Sequence, residues 1–253
     1  DALTAQLLQI IDFESLVSNL KDINVAAVME TKDFYINNIA LNCQSQMLVL
    51  YHQLQDQISN SSKNDNLAGK RKLKNVLLSY LNKAGDNLAL IKAQFDNAIN
   101  MTDEVSAYKL LAERDSDVAN LANENFYGRW SKDKLVLDKW FTVQATADHP
   151  NVLADVKKLM SHKDFHISNP NKVRALIGAF SMANPRAFHC HAGYQFLANI
   201  IIELDQLNPQ TAARLVTPFT RWRRYEESLR KMMKLSLEQI LQQPKLSKDV
   251  FEI

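Results

Sequence analysis

The run Ser168-Asn169-Pro170-Asn171-Lys172-Val173-Arg174-Ala175-Leu176-Ile177-Gly178-Ala179-Phe180 decides how the rest of the chain is read. Asn at a helix start accepts a hydrogen bond from a free N–H of the first turn. Pro at the next position has a preset φ and lacks only an N–H that would be unpaired there anyway. After this start, Val173, Leu176, Ile177 and Phe180 fall at i, i+3, i+4 and i+7, one apolar helix face. Arg174, Gly178 and Ser181 form a second stripe of small bulk above the arginine. A glycine inside a helix costs up to about 1 kcal/mol relative to alanine, so the stripe predicts a close approach at Gly178, with helix packing the first reading and a ligand cavity the second. The same Asn-Pro step recurs at Asn184-Pro185 and Asn208-Pro209. The last third of the chain therefore reads as a stack of short, sharply started helices.

Working outward, the rest has the same character. Five Gly and six Pro in 253 residues leave too few turn formers for a sheet protein. Apolar residues at helical spacing predict one or two short helices over 3–20 and a long helix, or two, over 25–58. Further helices are predicted over 67–83, 87–100, 102–112, 115–127, 132–146, 150–161, 170–183, 193–206, 209–217 and 226–243. Thr102, followed by Asp103 and Glu104, is the expected cap of the helix it opens. The polar run Ser59 to Asn66 is expected to be an exposed loop. The class is all-α, one domain over 1–253. No fixed period is visible, so an irregular, α-solenoid-like stack of antiparallel helix pairs fits better than a regular repeat array.

Composition excludes several functions. Thirty basic and twenty-eight acidic side chains leave a formal charge of +2, too little to draw nucleic acid or an anionic membrane. No apolar run reaches the roughly 20 residues that span a bilayer. Cys43 and Cys190 stand far apart without a partner motif and read as reduced thiols of a cytoplasmic protein. The start at Asp1, without an initiator Met or a signal pattern, reads as a piece of a longer protein.

Three constellations invite chemistry. His189-Cys190-His191 carries zinc-ligand types, but adjacent residues point apart and no second pair completes a tetrahedral site. His162 and His166 are four apart, yet Asp164-Phe165 supplies no Glu in the general-base position, so the pair reads as loop and surface. Arg221-Trp222-Arg223-Arg224-Tyr225 could stack on bases and touch phosphates. The pairs Arg223/Glu227, Glu226/Arg230 and Glu227/Lys231 at i, i+4 favour a solvated helix laced with ion pairs instead, with Trp222 as a packing residue. No Gly-rich phosphate loop or nucleophile elbow is present.

Several ordered segments resemble one family. These are Ala98-Ile99-Asn100-Met101-Thr102-Asp103, Leu137-Asp138-Lys139-Trp140-Phe141, the Ser168 to Phe180 run, Asn184-Pro185-Arg186-Ala187-Phe188-His189, Gly193-Tyr194-Gln195-Phe196-Leu197, and Asn208-Pro209-Gln210 with Ala213-Arg214-Leu215. In order and spacing they are similar to the C-terminal helical domain of bacterial aminopeptidases N, the gluzincin class of zinc-dependent alanyl aminopeptidases. The resemblance is strong from about Ala68 onward. It implies a right-handed α-superhelix that closes over a catalytic domain of the same polypeptide and walls a chamber admitting short peptides. It also implies that the catalytic zinc is bound elsewhere, since the family's H-E-x-x-H and G-x-M-E-N are absent from this sequence. No cofactor is expected on this chain, which alone would be inactive. By similarity, Arg174 and Arg214 face the chamber beside Gly178 and His189. The sequence departs from the family after Phe188-His189, where Cys190-His191-Ala192 stands in place of the usual acidic residues. The competing reading is a free-standing helical scaffold that binds protein partners.

Overall fold

Each Asn-Pro step starts a helix, as its chemistry predicts. Asn169 Oδ1 accepts from the Asn171 N–H at 3.0 Å, Asn184 Oδ1 from Ala187 at 3.3 Å and Asn208 Oδ1 from Thr211 at 3.0 Å, each with proline in the first turn. The structure is a computed structural model and describes residues 1–61, 66–114 and 116–253. In chain order its α-helices are α1 (Ala2–Leu7), α2 (Phe13–Val17), α3 (Val25–Ser59), α4 (Ala68–Ala84), α5 (Leu88–Asn97), α6 (Met101–Ala112), α7 (Ser116–Trp130) and α8 (Lys134–Thr146). They continue as α9 (Val152–Met160), α10 (Pro170–Val173), α11 (Ala179–Ala183), α12 (Pro185–Phe188), α13 (His191–Asp205), α14 (Pro209–Leu215), α15 (Glu227–Leu241) and α16 (Lys248–Phe251). Among the described residues there is no strand beyond one isolated bridge, and no helix is long and apolar enough to cross a membrane. Half of the loop expected over 59–66, positions 62–65, lies outside the described residues, as does residue 115.

The chain forms two compact units, Asp1–Asp12 with Glu30–Phe126, and Phe13–Met29 with Tyr127–Ile253. In the first, α4, α5 and α6 pack together, with α1 on α4. Leu73, Leu77, Leu78, Ile91, Leu111 and Phe126 are buried between them, and the Tyr108 and Phe126 rings stack at 4.5 Å. Inside this apolar shell lies a polar network. Lys74 Nζ meets Asp103 Oδ2 at 2.7 Å and donates to Gln55 Oε1 at 2.7 Å. Asp103 also accepts from Asn75 at 2.8 Å and from Asn100 Nδ2 at 3.1 Å. Gln94 donates to Asn75 and to the Asp103 carbonyl, and accepts from Tyr51. Burial beside Asp103 pushes the Tyr51 phenol far above its ordinary value. Asn100, not Thr102, caps α6, accepting from the Asp103 N–H at 3.0 Å. Extended backbone at Asn100 lets its short amide reach that N–H, while Thr102 already lies within the first turn.

In the second unit α8 packs on the Pro170–Ala183 segment and α13 on α14 and α15. That segment is not a uniform α-helix, because Arg174–Gly178 between α10 and α11 is a π-helical turn. The Ala179 N–H there reaches back five residues to the Arg174 carbonyl. The Ala175 carbonyl loses that partner and accepts instead from Thr142 Oγ1 of α8 at 3.0 Å. Lys172 and Asp138 close the same junction with a 2.6 Å ion pair, and the Lys172 ammonium lies 5.4 Å from the centre of the Phe141 ring.

The basic run differs from its expected form. Trp222–Arg224 is a single 3-10 turn that precedes α15. Arg224 donates to the carbonyls of Val17, Ser18 and Leu20 at the end of α2, and Arg221 pairs with Glu14 at 2.8 Å. The backbones of Ile23 and Arg224–Glu226 exchange hydrogen bonds of 2.8 and 3.1 Å. Glu226 turns to Asn24 and Ser228, and Arg223 lies 4.4 Å over Trp222, leaving Glu227–Lys231 as the formed pair of the expected three. A guanidinium can satisfy several terminal carbonyls of a helix at once, so this arginine goes to α2 rather than along α15.

The buried Asp103–Lys74 pair generates a stability test. Asp103→Leu alone strands an ammonium in the core and should cost about 3–5 kcal/mol, whereas Asp103→Leu with Lys74→Met should recover much of that loss. Urea unfolding followed by circular dichroism checks both, and equal losses in the single and double variants would contradict this account.

Candidate functional site

Arg174 and Arg214, the two candidate chamber residues, are both exposed on the second unit. Arg174 leaves the first residue of the π turn and rests one Nη on Asn171 Oδ1 at 3.0 Å. Arg214 lies in the last turn of α14. The two segments meet at Gly178. A β-carbon there would stand 3.8 Å from Arg174 Cγ and 4.0 Å from Leu215 Cδ2, both ordinary contacts. Gly178 is therefore buried under the arginine stem and Leu215 without any approach that only glycine permits. Ser181, on the same stripe, is also buried and donates to the Gly178 carbonyl at 3.2 Å. Packing, the first reading of the stripe, is thus what Gly178 and Ser181 meet, while Arg174 alone of the three is exposed.

His189 sits apart from these arginines in an aromatic joint. Its ring lies 4.7 Å from Tyr225, 5.2 Å from Phe188 and 5.7 Å from Phe13. Nδ1 shares a 2.8 Å hydrogen bond with the Tyr194 hydroxyl and Nε2 a 3.4 Å one with Tyr225. Burial lowers the imidazole to a pKa of about 4 and pushes the Tyr225 phenol up to about 12. At neutral pH His189 is thus uncharged, one ring nitrogen donating and the other accepting. It borders an open cleft of about 290 Å³ with Asn24, Val25, Met29, Arg186 and Glu226. The charges there are engaged: Arg186 Nε stands 3.2 Å from Asp148, and Glu226 accepts from Asn24 at 2.8 Å. The arrangement suits a structural joint rather than a reacting centre.

The remaining sequence candidates resolve into packing. Cys190 caps α13, its sulfur accepting from the Gly193 N–H at 3.4 Å, and both cysteines are free thiols. His162 is half-buried among Tyr127, Trp140 and Phe141, not on the surface, and burial lowers its pKa, while His166 is exposed. Among the described residues no group of three or more His, Cys, Asp or Glu side chains is gathered to hold a metal ion. The donor set for a catalytic zinc is therefore not found there.

The family described as "Domain of unknown function (DUF3458_C) ARM repeats" matches residues 1–253. The chain belongs to this family. ARM repeats are helical solenoid units, the all-α class expected from the sequence. As a DUF3458_C chain it is 33% identical to aminopeptidase N of Escherichia coli (strain K12), over 99% of its own length and 29% of that protein's. With aminopeptidase N of Caulobacter vibrioides the identity is 37%, over 90% of this chain and 27% of the relative. The crystal structure of Legionella pneumophila aminopeptidase A in complex with aspartic acid superposes with a TM-score of 0.89 at 33% identity, covering 98% of this chain and 30% of that one. The DUF3458_C chain thus spans under a third of the length of these relatives. The resemblance read from the motifs holds along the whole chain, including the first 67 residues, where the motifs were weak.

Nothing in the sequence points to the Arg224 anchor or the π turn, since each depends on partners far along the chain. Gly193 belongs to one of the family-like motifs, and the structure supplies its reason. A β-carbon at Gly193 would lie 2.2 Å from the Phe188 carbonyl oxygen. Gly193→Ala should therefore cost about 3 kcal/mol or more, while Gly178→Ala should be neutral or stabilise by up to about 1 kcal/mol. Tryptophan fluorescence in urea reads both, because Trp130, Trp140 and Trp222 all lie in the second unit.

The same signal tests His189. A histidine whose folded pKa falls from 6.5 to about 4 binds fewer protons folded than unfolded. Its contribution is complete above pH 6.5 and is lost as pH falls towards 4, about 3 kcal/mol in all. His189→Gln should flatten the fall in stability between pH 7 and 4.5 relative to wild type, and parallel curves would contradict the assignment.

Proposed function

We propose that this chain is the non-catalytic C-terminal portion of a zinc-dependent aminopeptidase of the N type, capping the catalytic domain of the same polypeptide and walling the chamber in which N-terminal residues are cleaved from short peptides. The observation that carries the reading is the match of the whole chain to under a third of proteins named aminopeptidase N. The zinc and its ligands belong, on this reading, to the part of the parent outside this sequence. Two free thiols suit a cytoplasmic enzyme.

The role of this chain is then positional. Arg174 and Arg214 present permanently charged guanidinium groups whose planar forks match a carboxylate. Both lie in solvent, with their chain segments meeting at Gly178. A peptide held by its amino end at the catalytic centre would carry its free carboxylate towards such groups. Neither arginine donates or removes a proton in the reaction. They select and orient.

In the intact parent enzyme, Arg174→Ala or Arg214→Ala should lower kcat/KM for a tri- or tetrapeptide about tenfold, as expected for a lost charge-assisted hydrogen bond. Turnover of an aminoacyl amide without a carboxylate should change less than about twofold. Equal losses on the two substrates would remove the assigned role.

A further inference from the structure

The outer face of α3 has no explanation in the fold of its own unit. From Phe34 to Gln55 the helix runs 22 residues without an Asp, Glu, Lys or Arg, in a chain that is 23% charged. That is about 33 Å of helix at 1.5 Å per residue. The uncharged stretch is not simply buried. Phe34, Tyr35, Leu41 and Val49 are 71%, 64%, 60% and 57% exposed. Phe34, Leu41 and Val49 share one face with Asn38 and Ser45 at steps of three and four, while Ile36, Ala40, Met47, Tyr51 and Leu54 are buried. Asn38 donates to the Phe34 carbonyl at 2.7 Å and Asn42 to the Asn38 carbonyl at 2.8 Å. One amide N–H of each is already bonded to the helix, which lowers part of the cost of taking them out of water.

Loss of charge with exposed aromatic residues marks the centre of a protein interface rather than a solvated surface. We infer that this face of α3 is covered by the remainder of the parent polypeptide, through an apolar, charge-poor surface. The inference rests on the proposed function in taking the parent to be the longer enzyme. The size of the face selects the occupant. A strip about 33 Å long and 10 Å wide offers roughly 330 Å² per partner. Two copies meeting through it would bury well under the ~1,200 Å² of a stable complex. A partner tethered in the same chain needs far less area, because its effective concentration is already in the millimolar range. The relatives supply such a partner, being more than three times longer than the part this chain matches. A face without charge also lacks the steering that a transient partner uses.

Hydroxyl-radical footprinting of the intact parent protein tests this, read by mass spectrometry at Phe34 and Tyr35 against the same residues in the urea-unfolded protein. Protection of about tenfold or more, the same at every protein concentration, is the expected result. Oxidation within about threefold of the unfolded rate would overturn the inference. Protection that grows with concentration would assign the face to a second copy and overturn it equally. Aminoacyl-amide hydrolysis by the same preparation separates the two readings. An active parent with an open α3 face ends the docking inference alone, whereas an inactive parent with a covered face ends the enzyme reading alone.

Discussion

Every helix leaves four N–H and four C=O groups without partners at its ends, and in a chain of short helices those ends are a large share of the backbone. The structure depends on how they are satisfied. Helices of four to seven residues, such as α12 and α14, have almost no interior and would not persist without their caps. Asparagine recurs as the cap, at Asn100, Asn169, Asn184 and Asn208, beside Asp133, Cys190 and Ser247, and its amide can do a second thing at once. Asn184 accepts from Ala187 with its oxygen and donates with its amide to the Ala145 and Ala147 carbonyls at the end of α8. Asn100 caps α6 and donates to Asp103, and Asn87 before α5 donates to the Leu81 carbonyl of α4. At Asn184 one side chain thus caps α12 and ties it to the end of α8, while Asn87, which makes no cap bond, links the start of α5 to α4.

The same constraint accounts for the irregular places. The π turn at Arg174–Gly178 displaces one hydrogen bond and frees the Ala175 carbonyl, and Thr142 answers it from α8. After α2 the chain runs Ser18-Asn19-Leu20 without the left-handed residue that usually closes a helix, and Arg224 donates to the carbonyls of Val17, Ser18 and Leu20 there. Asp205 does the corresponding work for α16, accepting from the Ser247 N–H at 2.8 Å and from its hydroxyl. In each case a group freed locally is met by a side chain from a distant part of the chain.

This explains what the sequence could and could not disclose. Caps made within three residues were legible: Asn169, Asn184 and Asn208 could be read because donor and acceptor are neighbours in sequence. Thr102 differs for a local reason: its hydroxyl suits a cap, but Asn100 stands two residues nearer the extended segment and reaches the Asp103 N–H first. The Arg224 anchor was illegible because charges at i, i+4 offer a ready local account of Arg223 to Lys231, and nothing in spacing points from residue 224 to residue 17. The aromatic joint of His189 joins Phe13, Tyr194 and Tyr225, and only tertiary packing brings these together.

The motifs that link the chain to its relatives are therefore mostly statements about folding. Asp103 is fixed by Lys74, Asp138 by Lys172, Asn184 and Asn208 by the helices they cap, and Gly193 by the Phe188 carbonyl against which no β-carbon fits. Such residues report that two chains share an architecture, and an architecture can serve many chemistries. Arg174 and Arg214 stand differently. Both are exposed, and the polar contact of Arg174, with Asn171 three residues before it, ties no helix to another. A long cationic side chain kept in solvent above a packed junction is explained more readily by what it meets than by what it holds together. The match to the longer relatives carries the functional reading, and these two guanidinium groups and the uncharged face of α3 are the parts of the surface on which that reading is put to the test, because folding alone supplies no reason for them.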